Sequence, residues 1–76
     1  MVMDPEQELE RGRAAYANRA WSDAFEALAA ADRALPLSAD DLELLARSAY
    51  MLGLDEEYVD GLERAHSAYL ARGGVR

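Results

Sequence analysis

Apolar residues recur along this chain every three or four positions, in four blocks separated by short stretches that contain polar residues, proline or glycine. This spacing places the apolar side chains of each block on one face of an α-helix. The pattern therefore predicts four helices. Their apolar stripes are Leu9, Gly12, Ala15 and Tyr16; Trp21, Ala24, Phe25, Leu28, Ala31 and Leu35; Leu42, Leu45, Ala46, Ala49 and Tyr50; and Tyr58, Val59, Leu62, Ala65 and Tyr69.

Local signals mark the ends of the first two helices. Asp4 followed by Pro5 is typical of an N-cap and a first helical residue, since proline lacks the N–H that would be unpaired there. The first helix is expected to stop near Asn18. The second begins around Ser22 and ends at Pro36, which cannot continue a helix.

Similar signals mark the third and fourth helices. Ser38 is the predicted N-cap of the third helix and Gly53 closes it, while Asp55 caps the fourth, which runs to Gly73. Connections of about three to five residues force consecutive helices to lie antiparallel. The sequence therefore predicts an all-α fold of two tandem antiparallel helix hairpins.

The second half of the chain repeats the first at a constant offset of 34 residues, called the repeat period here. The identical pairs are Arg13 and Arg47, Ala15 and Ala49, Tyr16 and Tyr50, Leu28 and Leu62, Ala31 and Ala65, and Ala34 and Ala68. This offset, applied to paired helices, matches the tetratricopeptide repeat of about 34 residues. We therefore predict a single tetratricopeptide-like domain over residues 1–76, with unit one at about 5–37 and unit two at about 38–72.

The second unit departs from the family pattern at three positions. It has Tyr58 where alanine is preferred, Asp55 where an aromatic residue is usual, and Leu70 in place of the closing proline. The alternative is an unrelated four-helix bundle with helices of equal length. Small residues at Gly12 and Ala46 favour the repeat, because there the first helix of each hairpin approaches the second.

The period also predicts an uncovered end. A third unit would begin at about Gly73, and repeat units bury their apolar faces mainly against their neighbours. We therefore expect a natural chain that continues beyond residue 76, self-association that covers the end, or both. The residues expected to carry the self-association are Val59, Leu62, Tyr69 and Leu70.

Five strings, at residues 11–17, 21–28, 31–34, 40–46 and 62–66, resemble the tetratricopeptide region of actinobacterial LuxR-type transcriptional regulators and related multidomain signalling proteins. The resemblance covers nearly the whole chain. It implies a parent protein with further repeats and a carboxy-terminal helix-turn-helix. Because that DNA-binding part is not in this sequence, the resemblance does not imply DNA binding by the segment itself.

The resemblance also implies that the first helix of each hairpin lines a concave groove. The expected partner-binding residues are Leu9, Arg13 and Tyr16 from unit one and Arg47, Tyr50 and Met51 from unit two. Arginine and aromatic residues often anchor interfaces, so two arginine–tyrosine steps would suit an extended acidic or carboxylate-bearing peptide. The same residues equally fit a structural role, with the arginines paired to nearby acids and the tyrosines packed between helices. They do not match the lysine–asparagine clamp of chaperone-tail binders.

Composition excludes several classes of function. Fifteen acidic residues against eight arginines give a formal charge of −7, which repels phosphate backbones and argues against direct nucleic-acid binding. No apolar run approaches the roughly 18–20 residues of a membrane span, and no signal peptide is visible at the start. We therefore expect a cytoplasmic protein.

Catalytic and metal-binding patterns are equally sparse. His66 with Glu63 has a spacing used by carboxylate metal sites, but the second motif that such sites need is missing. The acids at 55–57 and 60 are explained by favourable charge at a helix N-terminus. With no cysteine, no glycine-rich phosphate loop and no serine–histidine–acid set, we expect no enzyme activity, no cofactor and no metal.

These observations predict a protein–protein interaction module, the tetratricopeptide segment of a transcriptional regulator, which binds a protein or peptide partner in its groove or through its apolar end. The alternative is a stand-alone acidic protein that self-associates or acts as an inhibitor by mimicking nucleic acid. Its acids are spread over helix caps and solvent faces, which disfavours mimicry.

Overall fold

The computed structural model describes residues 4–73, of which 81% are helical, with no strand in that range. The four helices are α1 (Pro5–Ala17), α2 (Trp21–Ala34), α3 (Ala39–Met51) and α4 (Asp55–Ala71). Helix α1 packs along α2, and α3 packs along α4. The predicted all-α fold of two tandem helix hairpins is confirmed.

Local chemistry fixes the starts of α1 and α3 as predicted. The Asp4 carboxylate accepts a hydrogen bond from the N–H of Glu6 at 3.0 Å, and Pro5 is the first helical residue. The Ser38 hydroxyl accepts from the N–H of Asp41 at 3.4 Å. Each cap satisfies one of the N–H groups that a helix start leaves without an intrahelical partner.

The predicted N-cap at Asp55 is wrong. Leu54 is the cap residue of α4, and its carbonyl accepts the N–H of Tyr58 at 2.9 Å, with no side-chain cap. The Asp55 carboxylate instead lies within the first turn, where the positive end of the helix dipole favours it. Helix α2 likewise begins one residue earlier than predicted, at Trp21.

The repeat period is visible in the backbone itself. Helices α1 and α3 are offset from each other by one full period at both their starts and their ends, and α2 and α4 begin with the same offset. The loops inside the hairpins match as well: Arg19 has φ 59° and its counterpart Gly53 has φ 78°. The left-handed conformation is therefore a property of this turn, adopted even where a residue with a Cβ occupies it.

The same two loops share a hydrogen bond. The N–H of Ala20 donates to the carbonyl of Ala15 at 2.8 Å, and at the equivalent place in the second hairpin the N–H of Leu54 donates to the carbonyl of Ala49 at 2.9 Å. This bond closes the turn that brings the second helix back along the first. Superposition of residues 5–36 on residues 39–70 stays a prediction.

The hairpins stack in an open row. Helix α3 packs against α2 and, at fewer points, against α1, whereas no Cα of α4 lies within 8 Å of a Cα in α1 or α2 over the described residues. A closed four-helix bundle would bring its first and last helices together around one core. Among the described helices, the backbone of α4 therefore packs against α3 alone, and α4 forms one end of a stack measuring 39 × 28 × 20 Å.

The core lies where α3 meets the first hairpin on one side and α4 on the other. Its buried members are Leu28, Ala31, Leu37, Leu42, Leu45 and Ala65. The predicted close approach at Gly12 is confirmed, since a Cβ there would lie 2.7 Å from Cγ of Leu28. Leu35, predicted to join the apolar stripe of α2, is 66% exposed, because the helix ends at Ala34 and the chain becomes extended. Leu37 enters the core instead.

Candidate functional site

An ion pair joins the two hairpins at one edge of the core. Nε and Nη2 of Arg13 donate to the two carboxylate oxygens of Asp41 at 2.9 and 2.8 Å, in a bidentate arrangement. The Ser38 hydroxyl donates a further hydrogen bond to Asp41. The aspartate is buried, and its guanidinium and hydroxyl partners hold the pKa of its carboxyl below the ordinary value.

A second bidentate pair joins α2 to α4. Nη1 and Nη2 of Arg64 donate to the Asp32 carboxylate at 2.7 and 2.8 Å. The same carboxylate accepts the N–H of Leu37, which holds the chain between the hairpins. These partners, with the Arg64 guanidinium contributing most, lower the pKa of Asp32. The two pairs fix how one hairpin is oriented on the next.

Acid is expected to weaken this junction. Because both folded-state pKa values lie below the aspartate value of about 3.9, the contribution of Asp32 and Asp41 is fully present above that pH and is lost as pH falls through the folded pKa values. At neutral pH the double variant Asp32→Asn, Asp41→Asn is expected to lose about 2 kcal/mol, a value that allows for solvent screening of the partly exposed arginines.

Urea unfolding measured between about pH 5 and pH 2.5 tests this expectation. The difference in midpoint between the wild type and the double variant should shrink as the pH falls, because the wild type then loses the same charges. Midpoints that fall in parallel for the two proteins would contradict a role for these two carboxylates in holding the hairpins together.

The six predicted groove residues do not form two equal arginine–tyrosine steps. Arg13 is bound to Asp41. Tyr16 packs edge-on against Trp21, with ring centroids 5.4 Å apart, and Tyr50 packs against Tyr58 at 5.0 Å. Within residues 4–73 neither tyrosine stacks on an arginine, the one such contact being Arg72 over Tyr69. The arginine of unit one and both tyrosines therefore have structural contacts.

Four of the six predicted groove residues still share a surface. They belong to a cavity of about 310 Å³, called the aromatic cleft here, which is lined by Tyr16, Trp21, Arg47, Tyr50, Met51 and Tyr58. Arg47 is exposed and forms no ion pair within the described part of the chain. The cleft thus presents a guanidinium beside aromatic and thioether surface. Leu9 lies elsewhere, in a cleft with Arg13 near the start of α1.

The predicted self-association residues lie together on α4. Val59, Leu62, Tyr69 and Leu70 fall within one side of the helix by their spacing, and 39–50% of each is exposed. We call these four residues the open face. The internal repeat shows what is unusual about it: Leu28 is fully buried at 0% exposure, whereas Leu62, at the same place in the second unit, is 39% exposed.

Two clefts, one on each hairpin, are lined by equivalent residues but differ in what borders them. The first, of about 300 Å³, is lined in part by Pro5, Glu6, Leu9, Ala31 and Leu35. The second, of about 360 Å³, is lined by their counterparts one repeat period later, Ala39, Asp40, Glu43, Ala65 and Tyr69, with Leu62 and His66 beside them. The connection to α3 and Asp41 border the first cleft. Within residues 4–73, no equivalent connection or acidic side chain from a following helix borders the second cleft.

Other classes of site are not indicated by the described residues. No group of three or more His, Asp or Glu side chains there is placed to hold a metal ion, and His66 is exposed in the second cleft. Over the same residues, no helix combines the length and the apolar character needed to cross a membrane. The surfaces that stand out are the open face and the aromatic cleft.

Sequence reasoning missed three features of this region: the two interhairpin ion pairs, the burial of Leu37, and Gly61. A Cβ on Gly61 would lie 2.9 Å from Cβ of Ala46, so this glycine sets the spacing of α3 and α4. The repeat held a signal for it, since hairpin one has its glycine on the first helix and hairpin two has it on the second. Comparison with protein-family models, curated proteins and solved structures gives no match to this chain.

Proposed function

We propose that this chain is a protein–protein interaction module of tetratricopeptide type, and that it binds its partner through the open face. The observation that carries the proposal is the contrast between Leu28 and Leu62, which occupy equivalent positions but are 0% and 39% exposed. Leu28 is covered by α1 of its own hairpin, where it lies against Gly12, and by α3, which stacks on α2. Leu62 lies on the equivalent surface of the second hairpin, where no described helix packs on α4 as α3 packs on α2.

The energetic reason is the cost of leaving this surface in water. Burial of apolar surface stabilises a complex by about 25 cal/mol per Å², and an exposed apolar patch with a polar rim is typical of a binding site. Here the rim is acidic, since Asp40 and Glu43 line the cleft beside Leu62. A partner with apolar side chains at its centre and basic side chains at its edge fits this arrangement.

The aromatic cleft supports the same function as a second contact region. Its free guanidinium at Arg47 beside Tyr50 and Met51 suits a carboxylate next to an apolar side chain of a partner peptide. The resemblance to LuxR-type regulators supports placing the module, in the cytoplasm, within a transcriptional regulator. The proposal gives this segment no catalytic role, cofactor or contact with nucleic acid, in keeping with its charge of −7.

Self-association is the second candidate, because a further copy of the chain could cover the same four apolar residues. The two candidates share the surface but differ in the occupant. Sedimentation of the chain alone across dilution separates them, since self-association makes the apparent mass depend on concentration.

Peptide display provides the main test. Random peptides displayed on phage are selected against the folded chain and then screened against Leu62→Asp, with Leu52→Asp as the matched control. Both leucines are 39% exposed, but Leu52 is the residue that ends α3 and is not one of the four residues of the open face. Enriched peptides are expected to lose most of their binding to Leu62→Asp and to keep it with Leu52→Asp. Equal binding to all three proteins, or no enrichment, would contradict the proposal.

A further inference from the structure

The surface that receives α3 on the first hairpin has a counterpart on the second. On α2 the side chains of Phe25, Leu28 and Ala31 pack into the cluster that contains Leu42 and Leu45 of α3. One repeat period later these positions hold Val59, Leu62 and Ala65. All three counterparts are apolar; Val59 and Leu62 are exposed, and Ala65 is buried. Helix α4 therefore has the same kind of apolar side chains that bind α3 on α2.

The chain itself shows what such a helix looks like. Helix α3 carries Asp41 in its first turn, followed by Leu42 and, one turn on, Leu45. The carboxylate binds Arg13, and the two leucines are buried. Farther along the same face Ser48 and Ala49 are also buried, and their small side chains allow a close approach of the helix backbone.

A second copy stacked head to tail does not meet this requirement. The helix it would present is α1, where the counterparts of Asp41, Leu42 and Leu45 are Gln7, Glu8 and Arg11. Glu8 and Arg11 form an ion pair at 3.1 Å on that surface. Placing this charged pair against Leu62 would remove it from water without an apolar gain, so α1 closes its end of the stack to further helices.

Arg47 is the residue of the second hairpin that could form the ion pair which Arg13 forms in the first. It is the counterpart of Arg13, whose guanidinium is held by the carboxylate of Asp41. Lacking a corresponding carboxylate among the described residues, the Arg47 side chain lines the aromatic cleft instead. An incoming helix with an acid in its first turn would supply the missing partner, and paired charges of this geometry give specificity.

We propose that the open face binds an amphipathic helix of the α3 type. The helix carries a carboxylate in its first turn that pairs with Arg47, and leucines one and four positions later that cover Leu62 and Val59. This inference rests on the proposed function and names the chemistry of the partner. It predicts that the helix α3 of this same chain, offered as a free peptide, is a surrogate ligand.

The test uses a synthetic peptide of residues 35–53 titrated into the isotope-labelled protein and followed by NMR, in about 0.15 M salt to screen repulsion between two acidic molecules. Because a short isolated helix is marginal in water, the peptide is expected to bind weakly and to become helical on binding. Shifts are expected along α4 around Leu62. The variant Leu62→Asp should weaken binding at least tenfold, and the matched Leu52→Asp by less than twofold.

A double-mutant cycle tests the charged contact. Arg47→Ala in the protein is expected to weaken binding of the native peptide about fivefold. The same protein variant should have little effect on binding of the peptide with Asp41→Asn, because that peptide has already lost the carboxylate. Equal weakening of both peptides would overturn the assignment of Arg47. Absence of binding, or binding that Leu62→Asp leaves unchanged, would overturn the helix proposal.

Two other outcomes separate this inference from the proposed function. In the first, display-selected peptides depend on Leu62 for binding but are not helical and carry no acidic residue. That outcome would support the interaction module and would overturn the inference of an α3-type partner. Reversible dimerisation of the chain alone that Leu62→Asp abolishes would assign the open face to a second copy, and it would likewise overturn the inference.

Discussion

Replacing Leu28 with alanine is expected to lower the free energy of unfolding by about 3 kcal/mol, whereas the same change at Leu62 should cost about 1 kcal/mol or less. The two leucines lie at equivalent positions of the repeat, so they differ in environment rather than in chemistry or helix position. Leu28 is fully buried against α1 and α3, while Leu62 is 39% exposed. Truncation of Leu28 leaves a cavity, and truncation of Leu62 leaves space that water fills.

Urea unfolding followed by circular dichroism measures both effects. A domain of this size has only about 3–5 kcal/mol to lose, so Leu28→Ala is expected to be partly unfolded even without denaturant. The milder Leu28→Val, expected to cost about 1 kcal/mol, keeps the comparison measurable. Equal destabilisation by alanine at both leucines would mean that Leu62 is buried in solution, and the open face would then not exist in the free chain.

Replacing Gly61 with valine is expected to cost about 3 kcal/mol, at the upper end of the range for overpacking a core. A Cβ at this position would lie 2.9 Å from Cβ and 3.2 Å from Cα of Ala46. Neither atom can rotate away, because alanine has no side-chain torsion and its backbone is part of α3. Helices α3 and α4 would have to separate, and the open face would tilt with them.

Two companion variants identify the cause. Ser67→Val introduces the same β-branched side chain at an exposed position of α4 and should cost less than about 1 kcal/mol. Adding Ala46→Gly to Gly61→Val removes the nearest contact and should restore part of the lost stability. A double variant no more stable than Gly61→Val alone would show that the close contact with Ala46 is not what limits this position.

The two predicted binding surfaces depend on different physics. The open face follows from an apolar helix side with no neighbour to cover it, and the period alone indicated Val59 and Leu62. The arginine–tyrosine ladder depended on which acid each guanidinium reaches. Arg13 binds Asp41, an acid in the first turn of α3, where the helix dipole alone would also favour it. Periodicity carries no information about such pairings.

Local sequence decided the helices and most of their ends. Asp4, Pro5, Ser38 and Gly53 act on hydrogen bonds and torsions within a few residues, so their effects can be predicted without the rest of the fold. The failure at Asp55 shows the limit of this reasoning. Leu54 is held in the turn by its bond to Ala49 in the preceding helix, which sets the start of α4 one residue earlier than a capping aspartate would.

The sequence by itself determined that there are four helices, that they pair as hairpins and that the second hairpin repeats the pattern of the first, because all three follow from spacing along the chain. Only the tertiary structure decided that Asp41 and Asp32 hold the hairpins together, that Gly61 sets the distance between α3 and α4, and that Leu28 is covered while Leu62 is not. Those outcomes depend on which surfaces meet, and identical residues acquire different roles when one has a neighbouring helix and the other has water.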